Sequence, residues 1–78
     1  MNNDRRKKLR KVVDRIIDLR AELLEIGEDE QFAYDNLPEA LQSTTKGQKI
    51  TENADAIEEI RIDLENVEDM INELLQAS

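Results

Sequence analysis

Nineteen carboxylates and no histidine set the chemistry open to this chain. Glu22, Glu25 and Asp29, and again Glu65, Asp69 and Glu73, recur at three- and four-residue intervals. That spacing puts each set on one face of a helix. Carboxylate clusters in helical bundles can hold paired metal ions, but they do so with inward glutamates and a Glu-x-x-His partner. With no histidine, and aliphatic residues at the inward positions, the acids read as solvated faces. The stretch Glu52-Asn53-Ala54-Asp55 lacks the glycine and ligand spacing of a calcium loop. No metal and no cofactor is expected.

The hydroxyl nucleophiles are no more promising. Ser43, Thr44, Thr45, Thr51, Ser78 and Tyr34 have no histidine to activate them and no cysteine beside them. No glycine-rich elbow or phosphate loop is present. Helix caps account for most of these hydroxyls, and catalysis is not expected.

Two charged surfaces remain. Arg5, Arg6, Lys7, Lys8, Arg10 and Lys11 put six cations into seven residues, a cluster suited to phosphate contacts. The chain as a whole carries −8, however, and no aromatic is interleaved to stack bases. The expected partners of this basic arm are acids of its own fold, Glu68, Asp69 and Glu73, or of a second copy. Nucleic acid is disfavoured. A membrane role is weaker still, because Leu9, Val12 and Val13 belong to the core stripe. The second surface is acidic. Residues 50–78 hold nine acids against the single base Arg61. Glu58, Glu59, Glu65 and Glu68, with Tyr34 and Asn36 at the corner, form the candidate interaction surface. Carboxylates on a rigid rod can imitate a phosphate backbone and occupy a nucleic-acid-binding groove. The plainer reading is that acids keep a coiled coil soluble.

The elements that carry these residues are two long helices. An apolar seam runs Leu9, Val12, Ile16, Leu19, Leu23, Ile26 in the first half. It runs Ile50, Asn53, Ile57, Ile60, Leu64, Val67, Ile71, Leu74 in the second. Alternating steps of three and four residues are a heptad pattern. Asn53 on the seam either fixes register or stands exposed at the hairpin end. Asn3 or Asp4 caps the first helix, expected over residues 4–35. Gly27 marks a kink or a close approach. Asn36, Pro38 and Glu39 predict a capped helical turn within residues 36–44, tucked against Phe32 and Tyr34. Thr45 and Gln48 predict a capping box for a second helix over 45–76.

So short a connection forces an all-α antiparallel hairpin in one domain. Cations at the start of the first helix and acids at the end of the second favour the same arrangement. A chain of 78 residues without cysteine has a small core to rely on. A lone hairpin would leave Val13, Ile17, Leu24, Ile62, Met70 and Leu75 partly in water. A homodimeric four-helix bundle is therefore expected, with a protein partner as the mode of action. No apolar run reaches the ~18 residues of a membrane span. The basic N-terminus is followed by Asp14, Arg15 and Asp18 rather than by the apolar core of a signal peptide. A cytoplasmic, soluble protein is expected.

The segment Ala33-Tyr34-Asp35-Asn36-Leu37-Pro38-Glu39-Ala40-Leu41-Gln42-Ser43 resembles a motif, Asp-Asn-(Ile/Leu)-Pro-Glu-x-Leu-Gln. That motif joins the helices of small uncharacterised acidic two-helix proteins of Gram-positive bacteria and their phages. The acidic run Glu28-Asp29-Glu30-Gln31 before it fits the same pattern, whereas Thr44-Thr45-Lys46-Gly47 departs from the charged run that follows it in that group. The resemblance covers about a dozen residues. It implies a phage or mobile-element setting and no activity.

Overall fold

A computed structural model describes residues 1–78. Helix α1 spans Asn3–Asp35, α2 is the single turn Glu39–Gln42, and α3 spans Thr45–Ala77. The long helices lie antiparallel in a rod with Cα extents of 59 × 15 × 12 Å. None is long and apolar enough to cross a membrane. The bounds of the two long helices lie within a residue of the sequence expectation, and the short turn is confined to Glu39–Gln42. The caps differ. Asn2, not Asn3 or Asp4, caps α1, accepting from the Arg5 N–H at 2.9 Å.

Pro38 starts the short turn, where its missing N–H costs nothing. Asn36 does not cap that turn. It closes α1 instead, its backbone N–H and its side-chain Nδ2 both donating to the Phe32 carbonyl, the latter at 2.9 Å. The Thr45–Gln48 capping box also gives way. Thr44 is the cap residue of α3, without a side-chain bond to the helix; its hydroxyl donates back to the Leu41 carbonyl. Gln42 ties the corner together, its Nε2 donating to the carbonyls of Leu37 and Tyr34 at 3.3 and 3.4 Å. Phe32 does not join that corner; it is 68% exposed.

Gly47 sets how tightly the corner closes. It is buried, and a Cβ there would collide with the backbone of Gln42. Gly27 is the milder case. Helix α1 runs straight through it, and a Cβ would meet Ile57 Cγ2 at 3.4 Å. Gly27 opposite Ile57 and Arg6 opposite Ser78 fix the register. Each step forward along α1 is matched by one step back along α3. Val13 then stands level with Ile71, and Arg20 with Leu64.

The least exposed row of α1 is Leu9, Val13, Ile16, Arg20, Leu23, Gly27, Glu30 and Tyr34; that of α3 is Gly47, Ile50, Ala54, Ile57, Arg61, Leu64, Glu68, Ile71 and Leu75. This corrects the expected seam. Leu19, Ile26, Ile60, Val67 and Leu74 are 43–52% exposed, and Asn53 is also exposed. Half of each expected row, Leu9, Ile16 and Leu23 with Ile50, Ile57, Leu64 and Ile71, stays inside. Each helix is therefore rotated by roughly half a position, about 50°, from the face that apolar residues alone would select. The rotation brings Gly27 against α3 and lets Arg20 and Arg61 reach across. Of the residues expected to stay in water, Val13 and Leu75 lie inside, while Ile17, Leu24, Ile62 and Met70 are exposed. Val13 and Ile16 are the only buried apolar side chains, each still 8% exposed.

The two glycines predict opposite outcomes. Gly47→Ala should destabilise the hairpin by about 1–3 kcal/mol through overpacking against backbone. Gly27→Ala should be neutral or stabilising by up to ~1 kcal/mol, because helix propensity rises at little steric cost. Thermal unfolding followed by circular dichroism checks both; equal losses would contradict the geometry.

Candidate interaction surfaces

The seam carries a charged layer at its middle. Arg20 is 23% exposed and reaches two acids of α3: Nη1 lies 3.0 Å from Glu68 Oε1, and Nη2 lies 3.3 Å from Glu65 Oε2. Glu68 is only 16% exposed. Arg61, from α3, donates its Nε to the Arg20 carbonyl at 3.3 Å and holds Glu58 at 2.6 Å. Two arginine stems thus fill the inward row with methylene, while their heads turn outward to acids at its edge. Arg20 Nε is buried with no acceptor, a cost the two ion pairs must offset.

The clasp divides the hairpin into two unlike flanks. Glu58 and Glu65 follow the inward residues Ile57 and Leu64, and so stand on one flank, beside Ile17 and Leu24. The residues that precede Val13, Arg20, Gly27, Arg61, Glu68 and Leu75 stand on the other. They are Val12, Leu19, Ile26, Ile60, Val67 and Leu74. In an antiparallel pair these two sets share one side. These six are aliphatic, and all but Val12 are 43–52% exposed. The same flank turns polar at Asn53 and Lys46 toward the corner and at Arg5 at the open end.

The structure redistributes the site residues expected from sequence. Three of the four glutamates of the acidic surface, Glu58, Glu65 and Glu68, are held by Arg61 or Arg20. Glu59 is exposed and unpaired, and it belongs to an outer row with Glu52, Asp55, Asp63, Asp69 and Glu73. Tyr34 is half-buried at the corner, and Asn36 is exposed as the cap of α1. No three acids converge as metal ligands would.

The basic arm is helical from Asn3 onward and does not pair with Glu68, Asp69 or Glu73. Arg6 donates to the carbonyl and hydroxyl of Ser78 and to Asn3 Oδ1. Lys8 pairs with Asp4 at 3.3 Å, both well exposed. Arg5, Lys7, Arg10 and Lys11 meet no carboxylate. The register puts Glu68 level with Ile16 and Asp69 level with Arg15, both beyond the arm, and Glu68 is already claimed by Arg20. Glu73, level with Lys11, projects from the outer side of α3 and is exposed. Sequence reasoning passed over Arg20 and Arg61, and assigned the bare flank to the seam. The signal was available: a second row with the same spacing, through Val13, Arg20 and Gly27, is less apolar but contains the two residue types that allow close approach and cross-helix pairing.

No family model, no curated protein and no solved structure matches this chain. The geometry by itself defines an antiparallel helical hairpin, clasped by charge on one flank and bare on the other.

The clasp yields a paired test. Arg20→Ala leaves Glu68 half-enclosed without a cation and should cost about 1–3 kcal/mol in urea unfolding. Replacing both partners, R20L/E68L, should recover most of that loss, because two buried aliphatics substitute for a desolvated pair. A double variant as unstable as R20A would show that the clasp is not a unit.

Proposed function

We propose that this protein is a non-catalytic helical interaction module that works as a homodimeric four-helix bundle in the cytoplasm. The aliphatic flank is the observation that carries the reading. The accessible surface is 5911 Å². A compact chain of this mass is expected to expose about 4,900 Å². The excess, roughly 1,000 Å², is close to the ~800 Å² each partner contributes to a standard interface. Covering six half-exposed aliphatics on each of two copies is worth about 10–15 kcal/mol. Association costs ~4–15 kcal/mol. The gain is of the same order as the cost, which supports a dimer whose population depends on concentration and falls on dilution.

The resemblance of the Asp35–Gln42 corner to small phage and bacterial two-helix proteins supports a setting in a phage or mobile element. A second reading is an acidic inhibitor that mimics phosphates and blocks a host nucleic-acid-binding or defence protein. The unpaired outer row of α3 favours it. The clasp weakens it, since Glu58, Glu65 and Glu68 already have cations.

Light scattering over a dilution series tests self-association. A mass of twice the 9.0 kDa chain at high concentration, falling as the sample is diluted, is the expected result. The melting temperature should fall with it. A fully helical monomer throughout would remove the dimer. The second reading has its own measurement. Neutralising Glu59, Asp63, Asp69 and Glu73 as amides should abolish capture by an immobilised nucleic-acid-binding partner if the row mimics phosphate, and leave capture intact if it only solubilises the rod.

A further inference from the structure

The dimer proposed above leaves its geometry open: two hairpins can stack with their corners at the same end or at opposite ends. We infer that a second copy of this chain seats on the aliphatic flank with its corner at the opposite end, so that α1 packs antiparallel on its own copy. The inference rests on self-association and adds the face, the axis and the contacts.

The shape of the flank favours this seating. Val12, Leu19 and Ile26 repeat every seven residues along α1, at about 10.5 Å intervals. Ile60, Val67 and Leu74 do the same along α3, and the hairpin register sets Val12 beside Leu74, Leu19 beside Val67 and Ile26 beside Ile60. The strip is therefore two residues wide and three layers long, with Leu19 and Val67 at its centre. A two-fold axis through that centre lays the strip on itself.

Charge along the rim chooses the direction of the axis. The next row outward on α1 is Lys8, Arg15, Glu22 and Asp29, all exposed. Two cations are followed by two anions, and the change of sign falls between Arg15 and Glu22, beside Leu19. Reversing α1 about that point puts Arg15 against Glu22 of the other copy and Lys8 against Asp29, four complementary pairs in the dimer. Arg15, Glu22 and Asp29 have no ion pair within their own chain, and Lys8 has only the exposed Asp4. The same axis faces the outward row of α3, Ala56, Asp63, Met70 and Ala77, with its own copy. Ala56 then meets Ala77, and Met70, 67% exposed in the single chain, lies over Asp63 of the other copy. Stacking with corners together would instead bring the α1 rim onto the α3 rim, with Glu22 against Asp63 and Arg15 against Met70. Like charges on opposing rims select against that arrangement.

Charge reversal on the rim reads this geometry. K8E/R15E makes the α1 rim wholly acidic, and E22K/D29K makes it wholly basic. Each variant alone should self-associate roughly tenfold or more weakly than the parent chain. E22K/D29K should weaken although it lowers the net charge of the chain. An equimolar mixture should restore a complex of two chains, one of each kind, by sedimentation or native mass spectrometry. K7E/K11E, off the face, carries the same charge change as K8E/R15E and should associate within about threefold of the parent. All substitutions lie on exposed helix surface, and circular dichroism confirms that each variant folds. If the mixture fails to restore association while the parent chain dimerises, this geometry is wrong and the dimer stands. If either rim variant alone associates as the parent does, the rim is not in the interface. A monomeric parent chain defeats the self-association reading itself, and with it this one.

Discussion

Two helices lying side by side touch along one stripe each, and every property of this molecule follows from that limit. With a third helix absent, no side chain can be surrounded on all sides. Val13 and Ile16 come nearest, and they sit where the stripe is most aliphatic. The rest of the seam is a compromise between aliphatic packing and residues that would be costly in a deeper core. Arg20, Arg61 and Glu68 are tolerated in the contact row because the edge of a two-helix seam is never far from water. In return, these charges close one side of the stripe and leave the other to its aliphatics.

The position of the contact row is a choice between two rows that share half their residues and differ in how apolar the other half is. The row through Leu19 and Ile26 has more apolar residues, but none that lets the backbones draw together. The row through Gly27 and Ala54 does, and it turns both arginines toward acids on the opposite or the same helix. Close approach and cross-helix charge thus outweigh four aliphatic side chains, Leu19, Ile26, Ile60 and Val67, which are left on the surface of the single chain. The buried row and the exposed aliphatic flank are drawn from one pool of residues, divided by a rotation of roughly half a position.

Much of the fold could be read from the residues. Pro38, with Asn36 before it, marks the break. The three-and-four spacing marks the long helices, and the short connection makes them antiparallel. Caps were harder, since Asn2, Asn3 and Asp4 compete within a turn, and Asn36 can close one helix or open the next. The inward face was the least legible feature. Hydrophobic spacing cannot distinguish an apolar residue buried against the other helix from one left at the edge of the seam. The acidic site was legible only as composition; which glutamates are free depends on Arg20 and Arg61, separated by 41 residues.

The tight corner at Gly47 also bears on how the chain reaches its structure. Contacts near the corner join residues close in sequence, whereas those near the termini join residues some seventy positions apart. The entropy of closing a loop grows with its length, so the cheapest cross-helix contacts lie beside the corner and the dearest at the open end. The hairpin should therefore zip from Gly47 toward Leu9 and Leu75, and fray in the reverse order. Substitutions beside the corner would then slow folding, and those at the open end would speed unfolding, a division that folding kinetics can read. The end that closes last holds the basic arm, which is thus the part of the molecule most often released.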